Sequence, residues 1–419
     1  MAICIFEDNT ISTLLPLAHC QPAFELRCGI FTARERIQNY FPHAPVFLLV
    51  RDYLKDVVRE RYPDCAVNSA PDEQTIFING RWLMDSASAE KMASQVGTDT
   101  VFLHREKIVA ISGSAQVAKK IWNEIADHAS MQHLDSFIQV QIGGTFISYP
   151  WDLIKENPSM LVHDAERFLK SGKDASRKTF THVHAVRPEQ IFIGEECILQ
   201  PGVVLQAEDG PVIIDDHATI MANSVINGPA YIGRKSTIRA GAKIYGNTSV
   251  GPHCKVGGEV EGSIIHSYAN KQHDGFLGHS YLASWTNLGA DTNTSDLKNT
   301  YGEIRMTLEG REVGTGEMFL GLIMADHAKC GINTMFNTGT CAGVGCNVFG
   351  GDYPPKYIPS FSWGGSKEMK EYHFKKFIAV ARVVMERRNC RCTEAEETML
   401  KYLFNSTSAQ RRSMESSEV

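Results

Sequence analysis

The feature that most constrains this chain is an aliphatic residue at every sixth position through a run of consecutive hexads. These aliphatic positions are Ile214, Ile220, Ile226, Ile232, Ile238, Ile244, Val250 and Val256. Four positions after each of them stands a small or β-branched residue, at Ala218, Ser224, Ala230, Ser236, Ala242, Thr248, Cys254 and Val260. In a six-residue period, each hexad forms one flat side of a three-sided coil, with the aliphatic side chain on the axis and the small residue at the corner. Because each coil buries its face only against neighbouring coils, the pattern predicts a parallel β-helix of several stacked coils.

The same phase extends the predicted solenoid to residues 190–352. It is present earlier at Ile193 and Leu199, and it returns later at Leu282, Leu288, Met324, Cys330, Phe336, Ala342 and Val348. The segments Glu261–Gly275 and Asn293–Glu317 break the phase, so we expect both to be loops that leave the solenoid. Lys271, inside the first segment, is then expected to be a solvated loop residue, with contact to a phosphate as the alternative. Irregular insertions in a regular repeat are also where function is expected.

The residues before the solenoid show a different pattern. Short apolar runs at Ile3–Phe6, Val46–Val50 and Thr75–Ile78 alternate with helical spacing at Phe31–Phe41 and Tyr53–Arg61. This alternation predicts an α/β, Rossmann-like domain with a mostly parallel sheet. We place this domain, with a helical connector at its end, at residues 1–170, and a linker at residues 171–189.

The residues after the solenoid, 353–419, are predicted to form a helical extension and a tail. Helical spacing is found at Ser366–Arg388 and again at Thr393–Leu403. The complete prediction for the chain is therefore an α/β domain, a linker, a β-helix and terminal helices.

Composition excludes several classes of protein. The chain has 42 Lys and Arg residues against 48 Asp and Glu, a net charge of −6, so we expect no nucleic-acid partner. No apolar run approaches the ~20 residues of a membrane span, and the first residues lack the basic and apolar regions of a signal peptide. Eleven cysteines without a CxxC pair are typical of reduced thiols in a cytoplasmic protein. The spacings of His253, His266 and His279 fit no metal site, so none is predicted.

Two short motifs in the solenoid resemble a known enzyme family. The segment from His273 to Gly278 reads HDGFLG, and the segment from Asn287 to Ala290 reads NLGA. Both resemble, with the same gap, the acetyltransferase motif of the bifunctional N-acetylglucosamine-1-phosphate uridyltransferase/glucosamine-1-phosphate acetyltransferases, in a divergent Bacteroidetes-like form. An α/β domain followed by a left-handed β-helix is also the layout of that family.

The resemblance implies a set of roles for residues of the solenoid. His273 would be the general base and Glu259 its acidic partner, while Arg239 would hold the substrate phosphate. Phe276 and Asn287 would line the sugar site, and Ala290 would lie against acetyl-CoA, the implied co-substrate. Departures from the family's pattern are Glu261, Phe276, Asp296 and Leu297, which replace residues that contact the sugar phosphate. The alternative for His273 is a solvent-facing loop histidine.

The same resemblance implies nucleotidyl transfer by residues 1–170, with UTP or another nucleoside triphosphate as substrate and Mg²⁺ as cofactor. The family's Gly-rich phosphate loop is absent here, and the nearest substitute is a segment that supplies Arg27 and Gly29. Arg81 stands where the family has the aspartate that holds Mg²⁺. Arg27 and Arg81 are therefore predicted either to contact phosphate or to form structural ion pairs.

Three hypotheses follow for function. The first is acetyl transfer from acetyl-CoA to an amino-sugar phosphate such as glucosamine-1-phosphate, and the second is sugar-1-phosphate nucleotidyl transfer. The third is a non-catalytic scaffold that binds a sugar nucleotide. The resemblance also implies a homotrimer, and we expect Phe276, Tyr281 and Trp285 to form an exposed aromatic patch that favours association. The alternative is that these rings cover the open end of the loop within one chain.

Overall fold

A computed structural model describes residues 1–128, 134, 136–170 and 182–415 of the protein, with side chains described up to residue 412. These residues fall into two compact units. The N-terminal unit comprises Met1–Leu14, Cys20–Leu26 and Phe31–Tyr149, and the C-terminal unit comprises Leu15–His19, Arg27–Ile30 and Pro150–Val419. Residues 171–181 of the predicted linker and the last residues of the predicted tail lie outside the described residues. The boundaries at 170, 190 and 352 stay a prediction.

The N-terminal unit is built on a seven-stranded sheet. Its strands, in spatial order, are Ile138–Gln141, Thr100–His104, Lys107–Gly113, Thr75–Asn79, Ala2–Phe6, Val46–Leu49 and Ala66–Val67. Only the strand Lys107–Gly113 runs antiparallel to its neighbours, and the other pairs are parallel. The strand Ala2–Phe6 is buried along its whole length, as expected for a strand with helices on both faces of the sheet. This confirms the predicted α/β fold.

In the described part of the N-terminal unit, four α-helices accompany this sheet. They are α1 (Ala33–Tyr40), α2 (Lys55–Arg61), α3 (Ser86–Ser94) and α4 (Ala115–Ala126), and a small two-stranded sheet pairs Trp82–Leu83 with Thr145–Phe146. The first strand, Ala2–Phe6, lies between Val46–Leu49 and Thr75–Asn79, so the chain changes sides at this strand. In open α/β sheets the ligand crevice lies outside the carboxyl ends of the strands at such a switch point.

The C-terminal unit is a three-sided parallel β-helix. We call its sides face 1, face 2 and face 3. Face 1 has the strands Ile191–Ile193, Val212–Ile214, Ala230–Ile232, Thr248–Val250, Ile264–Ile265, Tyr281–Leu282, Leu322–Met324, Thr340–Ala342 and Tyr357–Ile358. Face 2 has Val183–Val186, Val203–Gln206, Val225–Asn227, Lys243–Ile244, Glu259–Glu261 and Phe276–Gly278, with the pair Asn293–Thr294 and Met335–Phe336 as a separate ladder. Face 3 has Ile198–Leu199, Thr219–Ile220, Thr237–Ile238, Lys255–Val256 and Asn270–Lys271, and then Lys329–Cys330, Asn347–Val348, Ser362–Gly364 and Met369–Glu371, the two groups being bridged through Asn287.

The hexad pattern describes the axis of this β-helix correctly. Each of the eight aliphatic residues from Ile214 to Val256 is 0% exposed, and they belong to one continuous apolar cluster. The small residues four positions later are buried as well. The stack of coils therefore forms its core from the residues that the period singled out.

The segment Glu261–Gly275 does not leave the solenoid, so that prediction is wrong. It contains two strands of the β-helix, Ile264–Ile265 on face 1 and Asn270–Lys271 on face 3. On face 2, the paired residues Ile226 and Ile244 are 18 residues apart in the sequence. The next pairs are closer, because Val260 follows Ile244 by 16 residues and Leu277 follows Val260 by 17. The coils remain stacked because their turns are shorter, and only the phase changes.

The second irregular segment does leave the solenoid. After the strand Asn293–Thr294, the chain forms an antiparallel hairpin of Arg305–Leu308 and Arg311–Gly314. The apolar residues Ile304, Met306 and Leu308 on the hairpin are buried. This part of the prediction is confirmed.

Among its described residues, the C-terminal unit also has four α-helices: α5 (Pro150–Lys170), α6 (Phe374–Glu386), α7 (Glu394–Ser406) and α8 (Ser408–Glu415). The helix predicted at Ser366–Arg388 begins only at Phe374, because Met369–Glu371 pairs antiparallel with Ser362–Gly364 as the last strand of face 3. Helix α7 begins with a capping box between Thr393 and Glu396, which satisfies its first free N–H groups. Among the described helices, none is long and apolar enough to cross a membrane.

Candidate functional site

His273 lies at the corner where the chain passes from face 3 to face 2. It follows the strand Asn270–Lys271, precedes the strand Phe276–Gly278, and is exposed. Its carbonyl oxygen accepts a hydrogen bond from Lys271 Nζ at 2.8 Å. The side chain of the predicted base is thus accessible, while its main chain is fixed by a neighbouring lysine.

Glu259, the predicted partner of His273, lies on face 2. It pairs in register with Phe276, and its amide donates to the carbonyl oxygen of Gly275 at 3.2 Å. Its carboxylate lies 3.5 Å from Lys243 Nζ. The described ion-pair partner of this carboxylate is therefore Lys243.

Lys271 is a buried residue, which corrects the expectation of a solvated loop side chain. It is 2% exposed, and burial lowers the pKa of its amine to about 8, against the opposing influence of Asp274, Asp291 and Glu259. The sequence did not predict this burial, because the break in the hexad phase had assigned Lys271 to a loop. Lys271 fixes the turn that carries His273.

The other predicted residues of the acetyl site lie on face 3, on face 2 or at the corner between these two faces. Arg239 is exposed, and its side chain lies over Gly257 of the next coil, within 3.1 Å of the position that a Cβ would take there. Phe276 is half-buried over Gly278. Asn287 accepts from Asn270 Nδ2 at 3.4 Å, and Ala290 is half-buried at the following corner.

The predicted aromatic patch is not exposed. Tyr281 is 0% exposed and its hydroxyl accepts from the amide of Arg27 at 3.0 Å, while Trp285 is also buried. Both rings therefore pack within this chain, which corrects the expectation that they form an exposed surface for association.

A second histidine, which the sequence did not indicate, pairs with a carboxylate. His279 Nδ1 lies 2.8 Å from Asp296 Oδ2, and the ring packs against Phe319 with a centroid distance of 5.3 Å. A carboxylate held against one ring nitrogen fixes the tautomer and leaves the other nitrogen as a base. His279 is thus a competing candidate for the base.

In the N-terminal unit, Arg81 occupies the crevice at the switch point. All five of its N–H donors are taken by neighbouring oxygens. These belong to Asp8 at 3.1 Å, Thr10, Thr13 at 3.1 Å, and the carbonyls of Ile147 at 2.9 Å and Ser148 at 3.1 Å. This geometry favours the structural alternative for Arg81, because no donor remains for a phosphate.

The residues of this crevice do not fit Mg²⁺. Although burial opposes it, Arg81, Asn79 and Thr10 together lower the pKa of Asp8, and both carboxylate oxygens accept hydrogen bonds from these residues. Glu7, the other acid at this edge, accepts from Arg51 Nε at 3.0 Å. Among the described residues, no group of His, Cys, Asp and Glu could hold a metal ion.

Arg27 belongs to the C-terminal unit. It is buried, its guanidinium donates to the carbonyl oxygen of Ile30, and it lies 6.0 Å from the ring centroid of Tyr231 on face 1. These contacts also favour a structural role over the predicted phosphate contact.

Comparison with known proteins identifies both halves. Residues 3–173 match the sugar nucleotidyl transferase family, and residues 211–246 match the bacterial transferase hexapeptide (six repeats) family. The second match, with the three ladders of strands, confirms the left-handed parallel β-helix. A protein of Methanocaldococcus jannaschii named bifunctional protein GlmU is 31% identical over 328 residues, which cover 76% of this chain and 72% of that protein. The chain belongs to the bifunctional GlmU family.

Two further relatives match this GlmU-family chain over a shorter region. A bifunctional sugar-1-phosphate nucleotidylyltransferase/acetyltransferase of Sulfurisphaera tokodaii is 29% identical over 34% of this chain and 36% of its own length. The bifunctional protein GlmU of Synechococcus is 28% identical over 32% of this chain and 28% of its own length. A solved UDP-N-acetylglucosamine acyltransferase from Campylobacter jejuni is similar over 53% of this chain and 94% of its own, at 12% identity and a TM-score of 0.23. The family assignment confirms the resemblance and makes the GlmU-family chain a transferase.

Proposed function

We propose that the chain transfers the acetyl group of acetyl-CoA to the amine of an amino-sugar phosphate such as glucosamine-1-phosphate. The observation that carries the proposal is His273, an accessible imidazole at a coil corner inside the motif that resembles the family's acetyltransferase site. The amine nitrogen loses a proton as it attacks the thioester carbonyl, and an imidazole is suited to accept that proton near neutral pH.

The proposed reaction needs no other reactant. The amine nitrogen forms a bond to the carbonyl carbon while His273 takes up the proton, and the tetrahedral intermediate then expels the thiolate. The imidazolium returns the proton to the thiolate, so the products are the amide and coenzyme A. Arg239 would bind the sugar phosphate, Phe276 and Asn287 would contact the sugar, and Ala290 would adjoin the acyl donor.

Glu259, which also contacts Lys243, would fix the orientation of the imidazole. We also propose that the protein is a cytoplasmic homotrimer, as hexapeptide repeats suggest. The family relationship and the three flat faces of the β-helix support an assembly of this kind. With the aromatic rings buried inside one chain, other residues of the solenoid would form the contact.

The test is a direct assay of acetyl transfer with acetyl-CoA and glucosamine-1-phosphate. Products should be followed by chromatography, because the free cysteines of the described chain would react with a thiol reagent. We expect His273→Ala to lower kcat at least ~10²-fold, the lower range for loss of a general base. His217→Ala, at another corner of the solenoid where the imidazole pairs with Glu196, is the matched control and should retain full activity.

The variant His279→Ala separates the two candidate bases. If His279→Ala is inactive and His273→Ala turns over normally, the base is the His279–Asp296 pair and the assignment of His273 is wrong. If the wild-type protein forms no product, acetyl transfer is wrong for this sugar phosphate. Release of pyrophosphate from nucleoside triphosphates, or binding of a sugar nucleotide without turnover, would then support one of the other two hypotheses.

A further inference from the structure

A column of stacked rings runs along one corner of the solenoid. His253, Tyr268, Trp285 and His327 occupy equivalent positions in successive coils, with φ between 53° and 63°. Their ring centroids are 4.6, 4.3 and 6.1 Å apart, and the planes lie within 14° of parallel. Consecutive strands of a sheet are separated by about 4.8 Å, so this corner holds aromatic rings at stacking distance.

The next position in the column has no side chain, and helix α6 fills it. Gly345 has the same backbone conformation, with φ of 66°, and a Cβ there would lie 2.7 Å from the ring of Phe377 on α6. That ring packs edge-on against His327 and Phe361, at 6.0 and 5.0 Å. Gly345 thus provides the space through which α6 is anchored to the solenoid.

The anchored helix forms one wall of a pocket on face 3. The pocket has a volume of about 320 Å³. We call it the face-3 pocket, and it is lined by Lys255, Tyr268, Asn270, Gln272, Trp285, Thr286, Asn287, Lys329, Val384, Arg387 and Arg388. The last three residues come from the final turn of α6 and the positions directly after it.

Four of these lining residues are cations, and no described carboxylate forms an ion pair with any of them. Lys329 Nζ donates to the carbonyls of His327 and Trp285, at 3.2 and 3.5 Å. Arg388 donates to the carbonyl of His253 and to Asn270 Oδ1. Among the described residues, these contacts leave the positive charges uncompensated.

The unusual electrostatics of the pocket appear in two of its lysines. Burial lowers the pKa of Lys329 to about 8. Burial, followed by the charges of Arg388, Arg239 and Arg387, also lowers the pKa of Lys255. A cation that loses water without gaining an anion is costly to bury, so a bound anion would relieve repulsion that the protein otherwise carries.

We propose that the face-3 pocket binds the phosphate or diphosphate group of a small phosphorylated ligand, between Lys255 and Lys329 on the solenoid and Arg387 and Arg388 after α6. Guanidinium groups bind phosphate oxygens in a bidentate manner, and lysines add point charges. The amides of Asn270, Gln272 and Asn287 supply neutral hydrogen bonds. Four cations suit a multiply charged phosphate better than a single carboxylate, and the volume is near the lower limit for small-molecule sites.

Binding at this pocket does not depend on acetyl transfer, so it can be tested without turnover. Titration calorimetry of the full chain with inorganic pyrophosphate is the direct experiment. We expect Arg387→Gln and Lys329→Met each to weaken pyrophosphate binding about tenfold or more, since each removes a charge-assisted contact. Lys367→Met removes an exposed lysine outside the pocket and should leave the affinity unchanged.

Competition against pyrophosphate then identifies the source of the phosphate. Glucosamine-1-phosphate, coenzyme A and a uridine diphosphate sugar are the three competitors, and displacement by one of them assigns the pocket to that ligand. Arg387→Gln is the variant less prone to misfold, because Arg387 is exposed whereas Lys329 is half-buried. The proposal is overturned if wild-type protein does not bind pyrophosphate, or if both pocket variants bind it as tightly as Lys367→Met.

Discussion

The crevice of the N-terminal unit and the face-3 pocket of the C-terminal unit both contain arginines. They differ in whether an acidic side chain compensates the positive charge. In the crevice, Arg81 lies on Asp8 and Arg51 lies on Glu7. In the pocket, the cations contact carbonyl groups, amide groups or solvent; they are Lys255, Lys329, Arg387 and Arg388. An arginine whose donors are all satisfied by the protein stabilises the fold, whereas a cation without a partner acid is available to a ligand. The comparison therefore favours the solenoid as the place where phosphate binds.

The strongest test of this comparison is Arg81→Met. Removing one partner of a buried ion pair leaves the other charge uncompensated, so we expect the free energy of unfolding to fall by about 3–5 kcal/mol. The measurement is equilibrium urea unfolding followed by circular dichroism. Arg59→Met is the control in the same unit, because Arg59 and Asp56 form an exposed pair worth at most about 1 kcal/mol. A loss of stability for Arg81→Met no larger than for Arg59→Met would show that the crevice arginine is not structural.

The wall of the pocket provides the next test, through Gly345→Ala. The new methyl group would meet the ring of Phe377 at 2.7 Å, at a positive φ that alanine disfavours, so we expect a loss of about 1–3 kcal/mol. Displacement of α6 should also move Arg387 and Arg388, and pyrophosphate affinity should fall with stability. Gly241→Ala has a similar φ of 71° and no neighbour within 4 Å of the added Cβ, so it isolates the backbone cost. Equal effects of the two variants on both stability and affinity would argue against the anchoring role of Phe377.

The sequence predicts a structural feature when residues close together in the chain determine it, and fails when distant residues do. The axis of the solenoid is local and periodic, so Ile214 and its successors could be assigned from their spacing alone. The segment Glu261–Gly275 could not, because a turn shorter by one or two residues shifts the phase without disturbing the strands. Nothing local distinguishes the buried Lys271 from a loop lysine once the phase is lost.

The candidate sites show the same limit. His273 could be proposed as the base because its motif is contiguous, but the pairing of His279 with Asp296 joins residues on different coils. Lys329 precedes an axial residue, Cys330, and such positions point outward in a hexad. Its burial depends on α6, which follows much later in the chain. Likewise, no spacing rule connects Arg81 with Asp8, so the sequence left a phosphate contact and a structural ion pair as alternatives for Arg81.

The pH dependence of the stability of Lys329→Met tests the same difference between the two regions. Burial lowers the pKa of Lys329 from its ordinary value of 10.5 to about 8. Between these values the unfolded chain binds a proton that the folded chain does not, so this lysine makes stability rise with pH across that window. Below pH 8 both states are protonated, and the unfavourable contribution of the buried charge is constant and largest. We therefore expect Lys329→Met to be as stable as wild type or slightly more stable at pH 7, and its advantage to shrink as the pH approaches 10.

The measurement is urea unfolding of both proteins at several pH values between 7 and 10. Lys271, whose pKa burial also lowers to about 8, is present in both chains and cancels in the difference. Arg81→Met provides the contrast, because removing a paired cation should destabilise the protein at every pH in this range. Pyrophosphate should reverse the sign for Lys329, since a bound anion turns the buried charge from a cost into a favourable contact. If Lys329→Met instead destabilises the free protein at pH 7 as strongly as Arg81→Met, the charge of Lys329 is compensated by other groups of the protein. The crevice and the face-3 pocket would then not differ in charge compensation.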